Sequence, residues 1–157
     1  MDGSDLVLMA DGTRKEVSLV VKGDRVYGGR VVAKIEFISS QGTLSMVKIP
    51  FGPTLLPWHP VCIGDKWMHA LHVEPARDVQ CSSVFSFILD FGHIMNVGGY
   101  DCVTWGHMYK GPVLSHSYFG TKRVIEDMSR MIGYQDGHVV LVDAQVIREN
   151  GQVLKIY

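Results

Sequence analysis

A mainly β fold is what this sequence predicts, and three observations predict it. The chain of 157 residues holds 17 glycines, while helix-favouring Ala and Glu are sparse. Its short apolar runs end at turn pairs: Asp11-Gly12, Gln41-Gly42, Gly64-Asp65, Gly98-Gly99 and Asn150-Gly151. One stretch alone, Thr121 to Tyr134, spaces its apolar residues at helical intervals.

Each element follows from those signals. Leu6 to Met9 reads as a first strand, ended by Asp11-Gly12, and residues 15–21 (KEVSLVV) as a second. Val31 to Ser39 and Thr43 to Pro50 flank Gln41-Gly42 and are expected to form a hairpin. Residues 51–60 carry Pro53, Pro57 and Pro60, so they are extended and unsuited to a helix or a central strand. Residues 66–75 fit a short strand or a helical turn. Strands follow at residues 83–91, 93–97 and 100–105, around Gly98-Gly99. The helix sets Val124, Ile125, Met128, Met131 and Ile132 on one side, with Thr121 as N-cap and Gly133 as stop. Residues 138–157 look like a terminal hairpin turning at Asn150-Gly151. The whole is expected to be a single domain, 1–157, with the helical addition at about 121–134.

Composition excludes several classes. With 15 basic and 16 acidic residues the net charge is -1, so no nucleic-acid footprint is visible. No apolar run reaches the roughly 18 residues a membrane span needs, and the acidic start is no signal peptide. Cys62, Cys81 and Cys102 are an odd number, which points to a reduced, intracellular and cytoplasmic setting. The sequence has no phosphate loop, no GxSxG elbow and no dinucleotide fingerprint.

The chemistry-bearing residues lie in two apolar contexts. His59 sits in LLPWHPVC, between Trp58 and Pro60. It is either a structural histidine in a Pro-rich corner or a proton donor, with Pro57 and Pro60 fixing the backbone and Trp58 excluding water. His93, in FILDFGHIM, has the same two readings. Asp90 lies three residues earlier and reaches the same face only if Gly92 bulges. Cys102 is either a small buried hydrophobe or a thiol activated by a nearby imidazole. His59, Cys62, His69 and His72 have the residue types of a zinc site, with irregular spacing and no Cys-x2-Cys; no metal and no cofactor is expected. Ser115 and His116 are neighbours on the chain, so their side chains point apart.

Four blocks, in order, carry a resemblance: residues 6–26 (LVLMADGTRKEVSLVVKGDRV), 55–73 (LLPWHPVCIGDKWMHALHV), 84–107 (VFSFILDFGHIMNVGGYDCVTWGH) and 115–128 (SHSYFGTKRVIEDM). They resemble the Hint superfamily of hedgehog autoprocessing domains and inteins, and in particular the Vint domain, the Hint variant of proteins that also carry von Willebrand factor A modules. The resemblance implies a β horseshoe with pseudo-two-fold halves. It also implies self-cleavage: an N-terminal Cys attacks the preceding peptide bond, an N–S acyl shift makes a thioester, and a second nucleophile resolves it.

Carried over singly, His59 matches the histidine of the family's Thr-x-x-His pattern, at the scissile amide. His93 matches the histidine of the later block, which assists the shift. Cys102 falls where hedgehog-like members place a second cysteine. The Thr of the pattern is Leu56 here, with Thr54 two residues early. The expected nucleophile aligns immediately before Met1, so the chain as given is expected not to perform the first step. The implied partner is the upstream polypeptide in cis, with a von Willebrand factor A module as its expected kind. The alternative is a non-catalytic interaction module that retains the Hint fold.

Overall fold

A computed structural model describes residues 1–157. The strands are β1 (Leu6–Leu8), β2 (Arg14–Glu16), β3 (Arg25–Val26), β4 (Gly29–Ile38), β5 (Thr43–Lys48), β6 (Thr54–Leu55), β7 (Pro60–Ile63), β8 (Lys66–His69), β9 (Arg77–Gln80), β10 (Ser83–Leu89), β11 (Ile94–Val97), β12 (Tyr100–Val103), β13 (His138–Val142), β14 (Val146–Glu149) and β15 (Gln152–Ile156). The single α-helix, α1, spans Lys122–Ser129. The expected mainly β fold is what the chain adopts.

Strand pairing makes one sheet in the order β2-β1-β11-β12-β7-β8 and another in the order β10-β4-β13, with β3 beside β4. The strands β6-β5-β9 and the hairpin β14-β15 form two smaller sheets. Alternation along β10 lets it serve two cores. Phe85, Phe87 and Leu89 face a core with Val7, Leu55, Val61, Met95, Cys102 and Met1. Ile88 faces a second, with Ala33, Ile35, Tyr118, Val124, Met128, Val139 and Leu141.

Three sequence expectations change. β4 and β5 are not a hairpin. The Gln41-Gly42 turn forms, with Gly42 N–H donating to the Ser39 carbonyl, but β5 pairs with β6 and β9 while β4 pairs with β3, β10 and β13. Ser39 N–H donates to the Ser82 carbonyl, which carries the β4–β10 ladder past the strand end and leaves β5 to the other sheet. Residues 15–21 form only a short strand, because Val17–Leu19 turn into a 3-10 helix that buries Val17. The tail is not one hairpin. β13 runs parallel to β4, a 3-10 turn at Asp143–Gln145 redirects the chain, and the hairpin is β14–β15 alone.

The helix begins where its capping residue predicts, with Thr121 Oγ1 accepting from Arg123 N–H. It is shorter than its apolar spacing suggests. Arg130 N–H bonds back to the Asp127 and Met128 carbonyls, which tightens and closes the last turn. Tyr118 locks the helix to the tail: its hydroxyl donates to Asp127 at 2.9 Å and accepts Ile156 N–H at 3.2 Å. Burial and the Asp127 carboxylate push the phenol pKa well up. Replacement of Tyr118 by Phe leaves a buried amide and a carboxylate unpaired. Urea unfolding of Tyr118→Phe is expected to show a loss of ~1–3 kcal/mol with the helical signal retained; an unchanged midpoint would contradict the bridge.

Candidate functional site

The site begins at the first residue. Met1 is buried in the main core, and its amine donates to the Phe85 carbonyl at 2.9 Å. Phe85 N–H donates back to the Met1 carbonyl at 2.9 Å, so the two residues form a closely bonded antiparallel pair. Asp2 N–H donates to the Thr54 carbonyl at 2.9 Å. Gly3 lets this segment lie flat, since a Cβ there would meet the Phe85 ring at 2.9 Å. Burial lowers the Met1 amine below its ordinary 8.0, with the charges of Asp5, Cys102, Asp2 and Cys81 opposing.

Asp5 is the acid of this corner. Both its oxygens accept Thr54 N–H, at 3.0 and 3.2 Å, and one accepts Asp2 N–H at 3.2 Å. Burial raises its pKa to about 6, against the pull of the Thr54 amide and the Met1 ammonium. Thr54 therefore reaches the N-terminal segment through its backbone.

His59 is fixed as its prolines imply. Its N–H donates to the Leu56 carbonyl at 3.0 Å, its carbonyl accepts Ala70 N–H at 3.0 Å, and the Pro57 carbonyl accepts Leu71 N–H at 2.8 Å. The ring Nε2 is buried with no hydrogen-bond partner. Burial pulls the imidazole down to about 3; the Met1 ammonium and His107 add to that, and a hydrogen bond to the Val103 backbone opposes it. His59 is therefore neutral at ordinary pH. Trp58 does not shield it: that side chain is 62% exposed and lies edge-on to His69 and His72.

Cys102 lies in β12, fully buried. Burial pushes its thiol up to about 12, with the Met1 ammonium opposing, which favours the protonated form.

His93 stands at a strained corner. Gly92 and His93 both have positive φ, 73° and 53°. A Cβ on Gly92 would lie 2.0 Å from the Gly28 carbonyl oxygen, so only glycine lets the two turns meet there. His93 Nδ1 is buried without a partner, and burial lowers its pKa, with Asp90 opposing. Asp90 itself is exposed. Its Oδ1 accepts Arg30 N–H and Phe91 N–H, each at 2.8 Å, so it builds the turn before His93.

Sequence reasoning missed three residues. One is Asp5, whose signal is its place two residues before buried Val7 on the same strand face. Thr104, opposite His93, has a buried hydroxyl with no partner and gives its N–H to the His93 carbonyl at 2.9 Å. His107 is 5% exposed, and its Nδ1 accepts Tyr109 N–H at 2.9 Å. Burial, then His93 and His116, bring it down to about 4. Both Thr104 and His107 stood in the CVTWGH block.

Other candidates do not converge. No group of three or more His, Cys, Asp or Glu side chains is placed to hold a metal ion, so His59, Cys62, His69 and His72 do not meet. His116 Nδ1 accepts Tyr118 and Phe119 N–H, and Ser115 Oγ accepts Gly111 N–H, so these neighbours do not pair. No helix is long and apolar enough to cross a membrane.

A family model described as Vint, a Hint domain, matches residues 1–155. The chain belongs to the Vint family of Hint domains. Self-processing is the general activity of Hint domains. Comparison with curated proteins finds no match. In this Vint domain the Met1 ammonium acts on Asp5, His59 and Cys102 around one buried corner, and His107 lies between His59 and His93 in the same sense.

That corner has a pH signature. The His59 pKa is depressed from 6.5, so the unfolded chain takes the proton first and stability falls as pH drops from 6.5 toward about 3. The Asp5 pKa is raised from 3.8, so stability is gained as pH drops from about 6 toward 3.8. The two oppose each other. His59→Gln removes only the loss, so between pH 7 and pH 4 it is expected to lose up to ~3 kcal/mol less than the parent in urea unfolding. Equal losses would show that His59 titrates normally.

Proposed function

We propose that this Vint domain is the catalytic body of a self-processing protein that cuts its upstream polypeptide in cis. The observation that carries the reading is the buried Met1 backbone, paired with Phe85 and close enough to His59 for their charges to interact. A cysteine joined to Met1 would supply the nucleophile. Its sulfur attacks the carbonyl carbon of the residue before it, the C–N bond breaks, and the nitrogen takes a proton. The resulting thioester is then opened by water, a thiol or another nucleophile.

Within that reading His59 carries the proton. A neutral imidazole accepts it from the thiol and delivers it to the departing nitrogen. When the Met1 nitrogen is an amide, the ammonium charge that depresses His59 is gone, which raises its basicity toward that task. His93 assists the shift, with Thr104 and His107 beside it. Cys102, as a neutral thiol, packs in the main core on the Met1 side. Thr54 and Asp90 hold backbone: Thr54 the Asp2–Asp5 turn, Asp90 the turn into His93. A von Willebrand factor A module is the proposed upstream neighbour. Three free cysteines support a reducing, cytoplasmic setting.

One observation favours a second reading, an interaction module. Leu56, where the family pattern has Thr, lines an apolar pocket of roughly 130 Å³ with Trp105 and Phe119, and has no hydrogen-bonding side chain to offer.

The test places a cysteine before Met1, behind a short leader and a folded reporter, and follows mass with and without hydroxylamine or dithiothreitol. Cleavage at that cysteine is expected, slowed on the order of 10²–10⁴-fold by His59→Ala. Folded protein that does not cleave would sink the self-processing reading in favour of the interaction module.

A further inference from the structure

Strand β10 has two edges, and one is only partly used. Phe85 spends its N–H and carbonyl on Met1, so it is turned away from β4. Strand alternation turns Phe87 the same way. Lys34, opposite Phe87 in the register, agrees: its N–H donates to the Gly137 carbonyl, on the far side of β4. The Phe87 carbonyl accepts Trp105 N–H at 2.9 Å. The Phe87 N–H makes no hydrogen bond outside the strand ladders, and its orientation keeps it out of the β10–β4 ladder. Phe87 is completely buried, where an unpaired N–H costs free energy and calls for an explanation.

The register supplies one. In an antiparallel pair, each step back on one strand is a step forward on the other. Met1 pairs with Phe85, so a residue joined to Met1 stands opposite Ser86, and the residue before that stands opposite Phe87. Two steps from one closely bonded pair comes the next, in which the Phe87 N–H points at the carbonyl oxygen of its partner. If a cysteine precedes Met1, that oxygen belongs to the scissile bond.

We infer that the backbone N–H of Phe87 is the oxyanion donor of this domain, binding the carbonyl oxygen of the residue before the nucleophilic cysteine. The inference rests on the self-processing reading and names the group that reading lacks. As sulfur adds to the carbonyl carbon, the C=O electron pair moves onto oxygen, and the Phe87 N–H meets the growing negative charge. Collapse returns the pair, expels the nitrogen with its proton and leaves the thioester. Trp105 N–H already fills the Phe87 carbonyl, so the upstream chain is held by one bond only and is not zipped on as another strand.

Two measurements test this. In a chain extended by a short leader ending in Ala before Met1, no cleavage occurs, and the Phe87 amide can be followed by NMR. Its proton is expected to move downfield and its solvent exchange to slow, relative to the chain starting at Met1. An unchanged resonance in the extended, folded chain would overturn the inference. In the chain with Cys before Met1, Phe87 is replaced by its α-hydroxy counterpart, which keeps the ring and removes only the N–H. Cleavage is expected to slow on the order of 10²–10³-fold, while stability of the chain starting at Met1 stays unchanged. The same replacement at Ser86, whose N–H faces β4, is expected to lower stability instead. An unchanged cleavage rate would also overturn the inference. If the parent with Cys does not cleave at all, the self-processing reading fails, and the NMR result still decides whether Phe87 holds that carbonyl.

Discussion

The pairing of Met1 with Phe85 is the constraint on which the rest of the site depends. Two hydrogen bonds of 2.9 Å fix the first residue as if it were part of the sheet. Its side chain fills the main core, so it cannot slide along β10 without opening a cavity among Val7, Leu55 and Met95. The cost is a charged amine taken out of water, and the lowered amine pKa records it. An amide nitrogen in the same place would make the same bond to Phe85 without that charge. Every other feature of the corner follows from this insertion. Asp5 turns inward to hold Thr54, Gly3 passes under the Phe85 ring, and His59, just before β7, and Cys102, in β12, both feel the Met1 ammonium.

A second device places the histidines. His59 is held by backbone bonds to both flanks of its Pro-rich turn, and His93 by a corner where Gly28 and Gly92 nearly touch. Both rings keep one buried nitrogen without a partner. A structural histidine ordinarily has its buried nitrogens satisfied. Two that do not, each on rigid backbone, fit groups that exchange protons with something that arrives. Burial lowers both pKa values, which favours the neutral rings.

Much of this was legible in the sequence because it is local. Turn pairs mark strand ends through backbone conformation alone, as Asn150-Gly151 and Gly98-Gly99 do, and Thr121 caps α1 by a contact two residues long. His59 and His93 stood out because polar side chains in uncharged apolar runs need a reason. What the sequence hid is non-local. Gln41-Gly42 forms its turn, yet whether β4 pairs with β5 is decided by β9 and β10, about 40 residues away. Residues 138–142 carry the alternation of a hairpin strand, but their partner is β4, and parallel pairing leaves no turn signal. Trp58 looked like a lid because tryptophan is usually buried; His69 and His72 instead hold it at the surface. Asp5 and His107 look like ordinary surface polar residues until the fold closes over them.

The most direct test of this account is the accessibility of the Met1 amine. The folded chain is treated briefly near neutral pH with a small amine-acylating reagent, and each site is quantified by peptide mass spectrometry. Buried against Phe85, Met1 is expected to stay unmodified while exposed Lys122 reacts, and to become reactive once the chain is unfolded in urea. Acylation of Met1 as fast as Lys122 in the folded chain would mean that the first residue is not held in the sheet. The geometry proposed for the junction would then have no support.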